Sequence, residues 1–179
     1  IQHFPRLLWT RDGEPEVQVD NLGQDPKLDL HLQFETVTVQ GREFRTVLLR
    51  PADYRPDQRY PVILDVYGGQ TKVQVAHNRR AWLMDQWLAN QGFLVVAIDN
   101  RGTPGRGRAW ETSVYGDFGQ LPLLDQRTAL VALAQNHPEI DLDRVGVWGW
   151  SFGGYLSAQA VLQQPDFFKA AIAGAPVTD

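Results

Sequence analysis

Residues 145–156 read Val-Gly-Val-Trp-Gly-Trp-Ser-Phe-Gly-Gly-Tyr-Leu, and this stretch decides the fold. An apolar run typical of a β-strand leads into Ser151, and a run compatible with a helix, residues 155–164, leads out of it. Gly149 and Gly153 stand two residues to either side of Ser151, where the tight backbone of a strand-to-helix turn leaves no room for side chains. The pattern therefore predicts a nucleophile elbow that raises the Ser151 hydroxyl above the edge of a sheet.

The same turn predicts part of an oxyanion hole. The backbone N–H of Phe152 would point at a carbonyl oxygen held by the serine, and the positive N-terminal end of the new helix would add to its effect. A structural turn with a solvent-facing serine is the alternative. Gly154 favours the elbow because it extends the surface of small residues. Trp148 and Trp150, which flank the first glycine, place large aromatic side chains beside a tight turn and also favour it.

The composition is that of an ordinary globular domain and excludes several classes of function. The 179 residues are 43% hydrophobic and 21% charged, which is enough apolar sequence for a core. A net charge of −4 gives no basic field for nucleic acid, and no run reaches the length of a membrane span. The absence of cysteine excludes thiolate nucleophiles and cysteine-ligated zinc. Since neither a phosphate loop nor a histidine pair at ligand spacing occurs, we predict no cofactor and no metal. The compartment, cytoplasmic or periplasmic, stays open.

The elements around the elbow alternate between strands and helices. We predict strands over residues 36–39, 44–49, 61–67, 93–98, 144–148 and 168–173, and helices over residues 79–90, 124–135 and 151–164. Two antiparallel strands followed by alternating units predict an α/β-hydrolase, a three-layer and mostly parallel sheet flanked by helices and lacking its last strands. Residues 1–33 are predicted to form a β-hairpin arm, and residues 34–179 a partial α/β-hydrolase domain.

Several motifs along residues 35–179 occur in the order and spacing of one known family. They are residues 65–69 (DVYGG), 99–107 (DNRGTPGRG), 124–126 (LDQ), 149–155 (GWSFGGY) and 175–177 (APV). These motifs resemble the prolyl oligopeptidase family, most of all its dipeptidyl peptidase IV branch. The arm is then similar to the tail of the β-propeller that precedes the hydrolase domain in this family.

The resemblance implies a role for individual residues. Ser151 would be the acylating nucleophile, and the Tyr67 hydroxyl and the Phe152 N–H would donate to the oxyanion. Phe152 and Val177 would line a small apolar pocket for the proline or alanine side chain before the scissile bond. The alternative for Tyr67 is a core tyrosine that caps its strand, and for the other two it is plain core packing.

The function implied is a serine peptidase that cleaves short peptides after proline or alanine through an acyl-enzyme. Its partner would be a peptide substrate, and a homodimer of the intact protein is compatible with the family. A carboxylesterase or lipase of the same fold is one alternative, with oxyanion donors from a glycine-rich backbone loop in place of a tyrosine. A non-catalytic binding module that kept the fold is another. We expect Asp99 and Arg101 to stabilise their irregular loop by ion pairing.

The chain contains no complete catalytic triad in the expected order of serine, acid and histidine. No histidine follows Ser151, and the acids after it include Asp166, expected at the wrong end of the elbow helix, and Asp179, expected near the substrate pocket. His77 is the one internal candidate on the correct edge of the sheet, whereas His137 should lie at the opposite edge in a local role. The two histidines expected to be solvated lie in the arm: His3 and His31.

We therefore predict that residues 1–179, purified alone, show no peptidase turnover and aggregate. A serine without a base is a poor nucleophile at neutral pH, and the strand over residues 168–173 would present an apolar edge without a neighbour. A turnover assay and light scattering on that polypeptide check both expectations. A full turnover rate would contradict the first of them.

Overall fold

A six-stranded mixed sheet forms the centre of the computed structural model, which describes residues 7–20, 23–69 and 71–178. The strands are β1 (Leu8–Trp9), β2 (Val17–Gln18), β3 (Leu32–Val39), β4 (Arg42–Leu49), β5 (Tyr60–Asp65), β6 (Leu94–Ile98), β7 (Ile140–Trp150) and β8 (Phe168–Gly174). The helices are α1 (Leu83–Ala89), α2 (Arg108–Glu111), α3 (Gln120–Ala134) and α4 (Phe152–Gln163), with 3₁₀ turns at Arg79–Trp82 and Thr112–Val114.

The strand order and directions are those of the predicted α/β-hydrolase. The order across the sheet is β3-β4-β6-β5-β7-β8. The pairs β3–β4 and β4–β6 are antiparallel, while β6–β5, β5–β7 and β7–β8 are parallel. The antiparallel strands at the front and the parallel strands that follow confirm the predicted architecture.

Helices cover both faces of the sheet, which explains why its strands are rich in apolar residues. All five residues of β6 are buried, as expected for a central strand with a helix layer on each side. On one face, Trp82 and Ala89 pack with Val47 and Val95. On the other face, α3 and α4 supply Leu130 and other apolar side chains to the larger cluster. Of the helices formed by residues 7–20, 23–69 and 71–178, none is both long enough and apolar enough to cross a membrane.

Several boundaries differ from the prediction; β3 and β7, for example, each begin four residues earlier than predicted, at Leu32 and Ile140. Helix α3 begins at Gln120, one turn earlier than expected, because Pro122 lies in the first turn, where its missing N–H costs no hydrogen bond. The glycine-rich segment at 102–120, predicted to be irregular, contains α2 and a 3₁₀ turn. Strand β5 ends at Asp65, so Tyr67 stands just beyond the sheet.

The predicted hairpin arm is present within residues 7–20 as a separate two-stranded sheet. Leu8 pairs with Gln18 and Trp9 with Val17, and the N–H of Glu14 donates to the carbonyl of Arg11 across the turn (3.0 Å). The assignment of this hairpin to an upstream propeller stays a prediction. His3 and the predicted loop positions 21 and 22 lie outside the described residues.

A buried ionic network closes the N-terminal edge of the parallel strands. Arg50 donates to Glu139 Oε1 through Nη2 (2.7 Å) and Nε (3.2 Å). His137 Nε2 lies 2.7 Å from Glu35 Oε1, and its Nδ1 lies 3.0 Å from an Arg50 nitrogen. His137 therefore has a local role at the edge opposite Ser151, as predicted.

Replacing Glu139 should reveal how much this network stabilises the domain. Burial alone would raise the pKa of Glu139, but the hydrogen bonds and positive charge of Arg50, together with a backbone hydrogen bond, outweigh it and lower the pKa. A lowered carboxyl pKa stabilises the native state above the ordinary value, and that stabilisation is lost as the pH falls through the native value. We expect Glu139→Gln to lower the free energy of unfolding by about 2 kcal/mol at pH 7, with the deficit shrinking below about pH 4. Denaturant titrations of the full-length protein measure this, with exposed Glu43→Gln as the control. An equal loss in both variants, or one that does not depend on pH, would contradict it.

Candidate active site

Ser151 occupies a strained backbone conformation between β7 and α4. Its φ of 58° and ψ of −116° lie in a region that residues with a side chain rarely adopt. Two hydrogen bonds hold the turn: the Ser151 N–H donates to the Gly174 carbonyl at the end of β8 (2.8 Å), and the Tyr155 N–H donates to the Ser151 carbonyl (3.1 Å). The Ser151 side chain forms no capping hydrogen bond to α4, and the residue is only half-buried. The predicted elbow geometry is therefore present.

The two flanking glycines both lie against the same backbone oxygen. A Cβ added to Gly149 or to Gly153 would lie less than 3.0 Å from the carbonyl oxygen of Val66, a distance that real Cβ atoms essentially never show. A Cβ added to Gly154 would likewise lie less than 3.0 Å from the carbonyl oxygen of Gly174. The N–H of Val66 donates to the carbonyl of Trp148 (2.9 Å), so this close approach continues the β5–β7 ladder past the end of β5.

Because the elbow packs on Val66, it also lies against the next residue, Tyr67. A Cβ on Gly153 would lie 3.2 Å from the Tyr67 Cα, and the rings of Tyr67 and Phe152 are 6.3 Å apart between centroids. The Tyr67 hydroxyl lies 3.1 Å from Thr71 Oγ1, so the loop after β5 orients the phenol. The structure thus brings together Ser151, Tyr67 and Phe152, whose catalytic roles stay predictions.

Phe152 lies within an aromatic cluster beside the serine. Its ring meets Phe118 edge-on at 5.9 Å and Tyr155 at 5.5 Å. Phe118 was missed at the sequence level because it lies in the glycine-rich segment, where no periodicity marks it. Val177, in contrast, is 44% exposed, and its place in a substrate pocket stays a prediction.

The histidines predicted as alternatives do not approach the serine. His77 stacks on Phe34 of β3 at 4.2 Å, on the far side of the sheet from the elbow. His31 is exposed, and its backbone N–H donates to Gln86 Oε1 (2.7 Å). Asp166 is exposed beyond the C-terminus of α4, as expected, and Asp179 lies outside the described residues.

The loop after β6 is stabilised by an ion pair at Arg101, as expected. Arg101 pairs with the buried carboxylate of Asp125, with Nε donating to Oδ2 at 2.9 Å. The expectation of ion pairing was wrong for Asp99. Its Oδ1 accepts the backbone N–H groups of Gln74 (2.8 Å) and Val75 (3.1 Å), because its carboxylate lies at a strand end where the neighbouring loop presents unpaired donors.

A buried pair of carboxyl groups lies under the Tyr67 loop. Asp65 ends β5 and Asp85 projects from α1, and their side chains interact directly. Burial raises both pKa values, to about 6 for Asp65 and to about 8 for Asp85, where the neighbouring Asp65 carboxylate further disfavours a second charge. Both shifts favour retention of a proton by the pair. Helical spacing could have found Asp85, since it lies three residues after the buried Trp82.

The sequence and the fold of this chain are both similar to those of known proteins. The model of the prolyl oligopeptidase family matches residues 81–179. Dipeptidyl peptidase 8 of mouse and of human is 44% identical over 148 residues, 81% of this chain. The structure of Porphyromonas gingivalis dipeptidyl peptidase 4 superposes with a TM-score of 0.72 at 34% identity, over 83% of this chain and 21% of that one. The chain spans 16% of the length of the curated relatives it matches.

Substitution of Gly149 tests the packing of the elbow. We expect Gly149→Ala to lower the free energy of unfolding by about 2 kcal/mol, because the new methyl group overlaps the Val66 carbonyl and neither backbone can yield without loss. Gly146→Ala, on the same strand, is the matched control, since its Cβ would have 3.7 Å to the nearest atom. Denaturant titration compares the two variants. Equal stabilities would show that the elbow does not depend on this approach.

Proposed function

This chain belongs to the prolyl oligopeptidase family, and from that premise we propose that it carries the nucleophile and oxyanion hole of a dipeptidyl peptidase. The full-length protein would cleave short peptides after proline or alanine through an acyl-enzyme on Ser151. One observation carries the proposal: the backbone of Ser151 is held in a strained conformation by close glycine packing. A turn that only connects a strand to a helix has no use for that strain.

In the first chemical step, Ser151 Oγ attacks the carbonyl carbon of the scissile bond. The C–O bond forms as the hydroxyl proton passes to a base, and the carbonyl electrons move onto its oxygen. The Phe152 N–H, at the start of α4, and the Tyr67 hydroxyl would donate hydrogen bonds to that oxyanion. The phenol lies 3.1 Å from Thr71 Oγ1, and either hydroxyl can be the donor of that hydrogen bond.

The base and the acid that orients it are proposed to come from a part of the full-length protein outside these residues. Among the described histidines, His31, His77 and His137 all lie away from Ser151. Collapse of the tetrahedral intermediate then breaks the peptide C–N bond as the base returns its proton to the leaving amine. Water hydrolyses the acyl-enzyme by the same steps.

The proposed specificity depends on the ring of Phe152. That ring is half-buried among Tyr67, Phe118 and Tyr155, and an apolar wall of this kind suits a compact side chain such as that of proline or alanine. Val177 would close the pocket from the segment after β8. The arm as a propeller tail and a homodimer of the full-length protein belong to the same proposal.

Substitution of the tyrosine tests the proposed oxyanion hole. In the full-length protein we expect Tyr67→Phe to lower kcat on a dipeptide anilide ending in proline by about 10²- to 10³-fold, with little change in KM, because one oxyanion donor is lost. Tyr115→Phe is the matched control, since Tyr115 is 90% exposed. Ser151→Ala should abolish both turnover and labelling by a fluorophosphonate.

Other results would favour the alternatives. If Tyr67→Phe keeps its rate and esters are hydrolysed faster than peptides, the protein is a carboxylesterase of the same fold. If the full-length protein neither turns over peptides or esters nor accepts the fluorophosphonate at Ser151, it is a binding module.

A further inference from the structure

The loop that carries Tyr67 is fastened at its far end to the strand from which it departs. Gln74 Nε2 donates to Asp65 Oδ2, which joins the end of the loop to the last residue of β5. The N–H groups of Gln74 and Val75 both donate to Asp99, at the C-terminal end of β6. The loop that carries Tyr67 is therefore held by Asp65 at the end of β5 and by Asp99 at the end of β6. We call the hydrogen bond between Gln74 and Asp65 the Gln74 clamp.

Asp85 faces this clamp from α1. It is 2% exposed, and its Oδ1 has no hydrogen-bond partner among the described residues, although its carboxyl group interacts with that of Asp65. Gln74 Oε1, in a residue that is 8% exposed, is also unpartnered. The indole N–H of Trp148 approaches Asp85 from β7 without the geometry of a hydrogen bond.

These groups line a cavity of about 490 Å³ that extends beneath Tyr67. The titratable and charged groups around the carboxyl pair come from each neighbouring element. Lys72 belongs to the loop and lies 5.4 Å from the centre of the Tyr67 ring, and Arg80 belongs to the 3₁₀ turn before α1. Strand β7 contributes the neutral side chains of Trp148 and Trp150. Lys72 and Arg80 are exposed, so water screens their charges, whereas the two carboxyl groups are desolvated.

We propose that Asp85, by sharing one proton with Asp65, is a positioning residue that holds Tyr67 at the oxyanion site. With one proton, the two carboxyl groups form a hydrogen bond that joins α1 to the end of β5. Without it, two buried negative charges face each other, and separation of α1 from β5 relieves their repulsion. That movement loosens the Gln74 clamp on Asp65 and so displaces the phenol.

The inference rests on the proposed function in its use of Tyr67, and two readouts on the full-length protein separate them. The first is the rate at which a fluorophosphonate labels Ser151 between pH 6 and pH 10, together with kcat and KM for the dipeptide anilide. The second is the melting temperature over the same range, which does not depend on activity. Asp85→Asn is the test variant because its amide can donate to Asp65 as the protonated acid does. Exposed Asp57→Asn, which makes the same charge change elsewhere, is the control.

The wild-type labelling rate should fall on the alkaline side with a midpoint near pH 8, and by about tenfold at pH 9. The fall should appear in kcat and not in KM, because an oxyanion donor acts in the transition state. In Asp85→Asn the fall should move up by at least about one pH unit, while Asp57→Asn should follow the wild type.

We expect the melting temperature of the wild type to fall as the pH rises. Folding raises the carboxyl pKa, so the native state binds more protons than the unfolded state between about pH 4 and pH 8, and its stability declines as the pH rises. Asp85→Asn should therefore become progressively more stable than the wild type from pH 6 to pH 9. If that difference appears but the labelling profile does not move, the pair titrates without positioning Tyr67 and the inference is wrong.

If neither readout changes, the pair does not hold the proton and the inference is also wrong. A protein that labels at Ser151 with the expected profile but cleaves no dipeptide anilide would overturn the proposed peptidase function and leave the inference standing. Absence of labelling at every pH would overturn both.

Discussion

The carbonyl oxygen of Val66, enclosed by Gly149 and Gly153, is the contact from which the site is built. It lets β7 and the start of α4 approach the end of β5 more closely than any residue with a Cβ would permit. Ser151 is thereby held in its strained conformation, and Tyr67 is brought next to it. The proposed nucleophile and oxyanion donor are thus brought together by one main-chain approach, while side chains such as Thr71 and Gln74 hold the Tyr67 loop beside it.

The buried polar groups at the two ends of the parallel strands differ in whether their hydrogen bonds are satisfied. At the N-terminal edge, Arg50, His137 and two glutamates satisfy one another, which is the arrangement expected of groups that stabilise a fold. At the C-terminal edge, Asp85 and Gln74 each leave a buried oxygen without a partner among the described residues. Unsatisfied buried polar atoms cost stability, so their presence beside Tyr67 indicates that this edge is shaped by its chemistry.

Most of the fold followed from the sequence because its signals are local. The glycines around Ser151 predicted the elbow, and the apolar runs predicted buried parallel strands such as β6, which the structure confirms. The features that were missed depend on tertiary contacts. The aromatic packing of Phe118 against Phe152 joins residues from separate elements, and a backbone oxygen such as that of Val66 has no signature in a sequence. Asp85 was overlooked because large apolar residues dominate the predicted helix over residues 79–90, although one of them, Trp87, is 53% exposed.

The hydrogen bond from the Ser151 N–H to Gly174 has a consequence for biosynthesis. Gly174 ends β8, the strand made after the elbow helix, so the turn is not fastened until the ribosome has released that later strand. Until then the turn lacks one of the two hydrogen bonds that hold it. The order of translation therefore delays completion of the elbow until the strand beside it has been made.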